Sequence, residues 1–177
     1  MPRQDRAITR AIKGSGEQQR VFFIAFLATL SIFLSIAEHA VPKPFPFLRL
    51  GLANAVTLYA FTVMRPREVF LVVLSRVVIA SLMIGTFLSI AFVLSFSGAV
   101  SSFFVMLAVY NYFKKIFSLV GVSIFGAVTS NVVQLWVVNN LFVQTSLSYY
   151  FLPFLLLLGL GGGIVSGLFG EFLARNI

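Results

Sequence analysis

Charge is scarce in this 177-residue chain: only 10% of its residues are Asp, Glu, Lys or Arg. A soluble domain carries about 25%, and a chain this poor in polar surface would not stay dissolved. Acidic residues are scarcer still, five in all, with Asp5 the single aspartate. That excludes the clustered carboxylates with which many enzymes hold magnesium. Cysteine is absent, so there is no disulfide and no thiolate metal site. The single histidine, His39, cannot build a haem or zinc site alone. No cleavage site of the A-x-A kind follows the first apolar run, so that run is not read as a signal peptide. No cofactor is expected.

Apolar residues fill the space that charge leaves. They make up 59% of the chain, including 21 phenylalanines, and the mean hydropathy is +1.01. An all-α integral membrane protein is expected, with a basic cytoplasmic tail over residues 1–20 and a membrane domain over 21–177. Residues 4–13 of the tail could form a short helix, ended by Gly14-Ser15-Gly16. Six spans are predicted. The first is Val21–Val41, followed by the stiff connection Pro42–Phe47, where three prolines break helical hydrogen bonding. The second is Leu48–Met64, a short one. The third starts at Val69 and ends either at Gly85-Thr86 or near Val93. Ser95-Phe96-Ser97-Gly98 interrupts the apolar run, so the fourth is Gly98–Phe113. The fifth is Ser118–Val143 and the sixth Tyr150–Leu173.

The net charge of +8 invites a nucleic-acid reading, but the basic residues sit at the ends of apolar runs. With the amino terminus inside, Arg3, Arg6, Arg10, Lys13, Arg20, Arg65, Arg67, Lys114, Lys115 and Arg175 are cytoplasmic, and Lys43 alone lies in an outer loop. This is the positive-inside bias of a membrane protein. It predicts both termini in the cytoplasm and a lipid bilayer, not nucleic acid, as the partner of these charges.

Three features stand out within the spans. Arg76 lies in the apolar stretch Phe70–Gly85, where a guanidinium at a helix centre costs about 2.5–3.5 kcal/mol on insertion scales. Such a residue is expected to face a polar cavity, a carboxylate or an anionic ligand. Glu38 and Arg49 are the other costly side chains. A Glu38–Arg49 pair would leave Arg76 with no intramembrane carboxylate, a charge that an anionic ligand would supply. Second, the fifth span carries a polar stripe of Ser123, Ala127, Ser130, Asn131 and Gln134, which is either interhelical hydrogen-bonding glue or a cavity wall. Third, Gly159, Gly163 and Gly167 recur every four residues in the sixth span, a face that lets another helix approach closely. No lysine follows these glycines and no strand precedes them, so they are not a phosphate-cradling loop. Trp136, within the fifth span, is read as a packing residue.

Three stretches carry a family likeness: PFLRLGLANAVTLYAF (Pro46–Phe61), FSGAVSSFFVM (Phe96–Met106) and GVSIFGAVTSNVVQL (Gly121–Leu135). Together they resemble the bacterial membrane family called Gx transporters, also labelled heptaprenyl diphosphate synthase component I. The likeness covers about residues 21–173, and R-L-G-L-A-N is its most specific piece. The resemblance implies a six-helix bundle related to the substrate-binding S components of energy-coupling-factor (ECF) transporters, in the bacterial cytoplasmic membrane. It also implies an outward-facing substrate pocket and, as partners, a membrane coupling protein and two ATPases. The chain departs from the family pattern at Ala99, where a second glycine is common, at Ser130, where histidine is common, and at Val133, where glycine is common. In the first span an alanine-x-x-x-alanine motif is absent; Ala25, Ala28 and Thr29, or Ser31 and Ser35, would have to meet the coupling protein.

Two functions follow. The preferred one is a substrate-binding subunit for uptake of a small, anionic molecule, with Arg49 and Arg76 on the anion, Asn54, Asn131 and Gln134 supplying hydrogen bonds, and Glu38 orienting Arg49. The other is a non-catalytic membrane component associated with polyprenyl diphosphate synthesis. Catalysis by this chain alone is not expected, because prenyl chain elongation needs magnesium held by clustered aspartates.

Overall fold

A computed structural model describes the backbone of residues 2–40, 52–113, 116–143, 150 and 152–176, and the side chains of 18–39, 53–113, 116–141, 150 and 152–174. The elements among these residues are helices and the turns between them, with no strand. The six α-helices are α1 (Pro2–Ala40), α2 (Leu52–Val63), α3 (Pro66–Ile84), α4 (Ile90–Phe113), α5 (Leu119–Val138) and α6 (Leu152–Asn176). A single π-helical turn, Asn139–Val143, extends α5.

The protein is a membrane protein. Four stretches are long and apolar enough to cross a bilayer: Gln18–His39, Ile90–Phe113, Leu119–Leu141 and Leu152–Ala174. The other two helices fall short of the six spans expected. The described part of α2 is 12 residues, about 18 Å at 1.5 Å per residue, well under the ~30 Å of a hydrocarbon core. Helix α3 has 19 residues but carries Arg67, Glu68 and Arg76.

Two predicted interruptions are absent. The tail does not break at Gly14-Ser15-Gly16; α1 runs unbroken for 39 residues. A glycine inside a helix costs only about 1 kcal/mol relative to alanine, and a helix already nucleated by the following span propagates through that cost. Likewise Ser95–Gly98 does not end a span, and α4 continues through it. Inside a bilayer a broken helix would leave backbone groups without partners. Ser97 returns its hydroxyl to the Leu94 carbonyl at 3.1 Å, so it is satisfied within the helix.

The real end of α3 is Gly85, one of the two alternatives open in the sequence. Gly85 is left-handed (φ 77°, ψ 17°). Its N–H reaches Leu82 O at 3.2 Å, and the Thr86 N–H reaches Ser81 O at 2.9 Å, the paired bonds of a Schellman stop. Glycine adopts this conformation without steric cost. At the other end, Pro66 occupies the first turn, where its missing N–H costs nothing. The Glu68 carboxylate accepts the Arg65 N–H at 2.9 Å and pairs with Arg20 of α1 at 2.9 Å. The starts of α1's apolar run and of α3 therefore sit at the same end of the bundle.

Helix α2 is the axis of the fold. Every residue from Ala53 to Phe61 is buried, and α1, α3, α5 and α6 all pack on it. A helix apolar on all sides has to be enclosed by others. Towards the α2–α3 turn the interior is aromatic. Phe61 stacks on Phe103 (centroids 5.6 Å apart) and on Tyr110 (5.7 Å), and Phe70 lies 5.0 Å from Phe103. Outward faces are also apolar, as a lipid-facing surface requires. Trp136 belongs there and not to the packed interior: it is 63% exposed, on the side of α5 away from the buried stripe. An amphipathic ring near a span's end suits the membrane interface.

Candidate functional site

At the opposite end from the aromatic core, five helices converge on one cavity. It is lined by Ser35 and Glu38 of α1, Ala53 and Asn54 of α2, Arg76 of α3, Ala99 of α4, and Ala127, Ser130 and Asn131 of α5. The helical period explains each contribution. Ser35 and Glu38 are three residues apart and share a face of α1, as do Ala127, Ser130 and Asn131 on α5. Alanine and serine between the large polar groups leave room that Leu or Phe would fill.

Arg76 is in mid-helix and 3% exposed. Its Nη1 and Nη2 both donate to Asn54 Oδ1, each at 3.3 Å. These are long contacts to one neutral oxygen. An amide solvates a guanidinium without neutralising it. Glu38, 5% exposed, lines the same cavity. The expectation that Arg76 lacks an intramembrane carboxylate was tied to a Glu38–Arg49 pair; the structure places Glu38 and Arg76 on one cavity. Removing two such groups from water costs several kcal/mol each, a cost tolerated where opposite charge and hydrogen bonds surround them. Arg49, the predicted partner of Glu38 and second anion-binding residue, lies outside the described residues.

The α5 stripe is buried along its whole length, and its members divide the tasks. Asn131 is both glue and cavity wall: its Nδ2 donates to the Leu155 carbonyl of α6 at 3.0 Å, and the residue lines the cavity. Gln134 does not line the cavity. It lies one turn further on and donates through Nε2 to Ser130 Oγ at 2.9 Å. Gly98 makes room for that pair. A Cβ there would fall 2.5 Å from Gln134 Nε2 and 2.7 Å from Ser130 Oγ. Ser123 packs against α6, where a Cβ on Gly167 would lie 3.2 Å from its own Cβ.

The three α6 glycines sit in register along α5. A Cβ at Gly159 would fall 3.3 Å from Val128 Cα, at Gly163 2.7 Å from Ile124 Cα, and at Gly167 2.5 Å from Val120 Cα. Four-residue steps on one helix meet four-residue steps, in reverse order, on the other. The two helices are thus antiparallel and in backbone contact, which holds Asn131 at its post.

The cavity has about 20 Å³ of room, just above the 10–15 Å³ that one water needs. Pockets for drug-sized ligands measure roughly 300–1,000 Å³, so admission of such a ligand requires helices or side chains to move apart. Sequence reasoning named Glu38, Asn54, Arg76 and Asn131 among the binding residues; it passed over Ser35, Ala53, Ala99, Ala127 and Ser130 as such. For Ser35, Ala127 and Ser130 the signal was helical spacing from Glu38, Asn131 and Gln134; Ala53 and Ala99 carried none. Among the described residues no group of three His, Asp or Glu could hold a metal ion.

A family model described as heptaprenyl diphosphate synthase component I matches residues 27–173. No curated protein and no solved structure matches the chain.

Proposed function

Because the chain belongs to the heptaprenyl diphosphate synthase component I family, we propose that it is a membrane-embedded substrate-binding subunit of the S-component kind. It serves uptake of a small molecule with an anionic group across the bacterial cytoplasmic membrane. The observation that carries this reading is the convergence of Glu38, Asn54, Arg76, Ser130 and Asn131 on one cavity inside an apolar bundle. Ionisable groups inside a membrane bundle are costly, and they mark substrate and ion pathways. Arg76 is the anion-binding residue, because guanidinium forms charge-assisted bonds to carboxylate or phosphate. ATP hydrolysis comes from partners, a coupling protein and its ATPases, since the chain has no nucleotide-binding motif.

Six spans with both termini in the cytoplasm complete the proposal. The chain has no cysteine, so single cysteines report cleanly. Ser146→Cys should react with an impermeant reagent outside intact cells, and Lys115→Cys only after permeabilisation. The reverse pattern would overturn the orientation.

The family's description favours a second reading, a non-catalytic component acting with a separate prenyl synthase. Native mass spectrometry separates the two. Wild-type protein should carry a small molecule that Arg76→Ala lacks. A ligand-free protein that co-purifies with a soluble prenyl synthase at fixed stoichiometry would favour the second.

A further inference from the structure

A serine inside a membrane helix can satisfy its hydroxyl on a carbonyl three or four residues earlier in the same helix. Ser75, Ser81 and Ser97 do so here, at 3.0, 2.8 and 3.1 Å. Three other serines do not. Ser31 of α1, Ser102 of α4 and Ser123 of α5 are at most 1% exposed, and none of their Oγ atoms has a hydrogen-bond partner within the protein. A buried hydroxyl left unmet costs folding free energy, so three of them in one bundle require a cause.

Their positions are related. Ser31 lies four residues from Ser35, Ser102 three from Ala99 and Ser123 four from Ala127, and Ser35, Ala99 and Ala127 all line the cavity. Each of the three therefore shares a helix face with a cavity residue, one turn away. The three steps also run the same way. On α1 the step leads back towards Arg20, which pairs with Glu68 at the start of α3. On α4 it leads on towards Phe113, and on α5 back towards Ser118, across the tight turn that joins these helices. Tyr110, close to that turn, stacks on Phe61 beside the α2–α3 turn. The hydroxyls thus form a layer about 5 Å beneath the cavity, on the way to the aromatic core. Beside Ser102, α5 carries Gly126. A Cβ there would fall 3.0 Å from Ser102 Oγ and 2.6 Å from both Cγ and Sδ of Met106. The side chain packed at this place is an unbranched thioether, which adapts its rotamer to its surroundings.

We propose that Ser31, Ser102 and Ser123 bind ordered water and form a hydrated second layer of the cavity. Water is the ligand whose size and polarity fit. The cavity above has room for about one molecule, and a hydroxyl can both donate to water and accept from it. At Ser102 the Met106 side chain turns aside to admit it. This layer goes beyond the substrate-binding reading and stands whether or not the cavity takes a substrate. A substrate that reaches this depth has to replace the hydrogen bonds of the water it displaces.

The test is X-ray radiolytic labelling of the full-length protein in nanodiscs, in which water ionised beside a side chain oxidises it on the spot. Met106 is buried, yet it should become the sulfoxide at the earliest doses, and Ser102→Ala should lose that label. Hydrogen peroxide added to the bulk separates resident water from a bundle that opens: it should oxidise the exposed Met83 and leave Met106 intact. Ser31→Ala and Ser123→Ala, read by thermal unfolding, should each lower the melting midpoint by about 2–4 °C, because the hydroxyl removed had a partner. An unlabelled Met106 in the wild-type protein would overturn the proposal. So would a Met106 label that survives in Ser102→Ala, or peroxide that reaches Met106 as fast as Met83. Midpoints at or above wild type in both alanine variants would show dry hydroxyls and overturn it at Ser31 and Ser123.

Discussion

Two faces of one helix do different work in this protein. Towards α6, helix α5 presents Val120, Ile124 and Val128 to three glycines, and the backbones touch. Towards α1, α2 and α3 it presents Ser130 and Asn131 to a carboxylate, an amide and a guanidinium around a cavity. On the first face the backbones approach closely; on the second, polar side chains surround a cavity. In a membrane, lipid tails are as apolar as leucine, so tight packing has to supply the cohesion. The seam is close-packed and the cavity gathers polar side chains, and Asn131 joins the two.

The largest expected effect tests the cavity side. Arg76→Ala should weaken ligand binding by roughly one and a half to three and a half decades, since losing a charge-assisted partner typically costs about 2–5 kcal/mol. Arg76→Lys should recover part of this only, because an ammonium lacks the planar fork. Equilibrium binding of the co-purified molecule gives the answer. Unaltered affinity together with a collapse of the melting midpoint would make Arg76 a structural residue.

Next in size is the seam. At Gly167 a new methyl would meet the Val120 Cα at 2.5 Å, a backbone atom that cannot step aside. Gly167→Ala should destabilise the bundle by about 1–3 kcal/mol, the usual penalty for overpacking. Gly161, also on α6, faces open space: a methyl added there would have nothing within 4 Å. Gly161→Ala should therefore leave stability unchanged or raise it by up to about 1 kcal/mol, the helix-propensity gain. Thermal unfolding of the two variants in one detergent compares them directly, and equal midpoints would refute the seam.

A smaller change links the two faces. Gly98→Ala should displace Ser130 and Gln134, whose polar atoms occupy the space of the new methyl. Affinity should drop about tenfold, the worth of about 1.4 kcal/mol, with little loss of α5–α6 packing. Unchanged affinity would mean that the Ser130 hydroxyl does not touch the ligand.

The smallest effect lies outside both. Glu68 accepts the Arg65 N–H and pairs with Arg20, and these contacts hold its pKa below the ordinary carboxylate value of 4.5. A lowered folded pKa means that the stabilisation is complete above the unfolded value and lost as pH falls through the folded one. Arg20 is 43% exposed and Glu68 22%, so solvent screens the pair and Glu68→Gln should cost about 1 kcal/mol or less. The difference from wild type should be constant above about pH 5 and shrink below 4.5. A difference that persists unchanged into acid would assign it to lost packing.

Periodicity made the seam legible: three glycines four residues apart can mean little else in an apolar helix, and α6 indeed turns them all to α5. Where local signals misled, they were breaker residues. Gly14, Gly16 and Ser95–Gly98 looked like boundaries, yet α1 and α4 pass through them: outside the bilayer a helix nucleated by the following span propagates through the small cost of a glycine, and inside it a break would leave backbone groups unpaired. Gly85 did stop its helix, and the difference is the Schellman pair that closes over it.

Composition and periodicity alone determined that the chain is helical, that it belongs in a membrane, which face of α6 is smooth and that Arg76 needs a polar neighbour. Each of these depends on residues within a few turns of one another, or on totals. Which neighbours Arg76 receives was decided by tertiary structure only. Asn54 is 22 residues away along the chain, and Leu155 is 24 residues from the Asn131 it fixes. Glu38 reaches the same cavity from yet another helix. No local pattern carries the angle at which five helices cross, and that angle selects which of their polar side chains share one cavity.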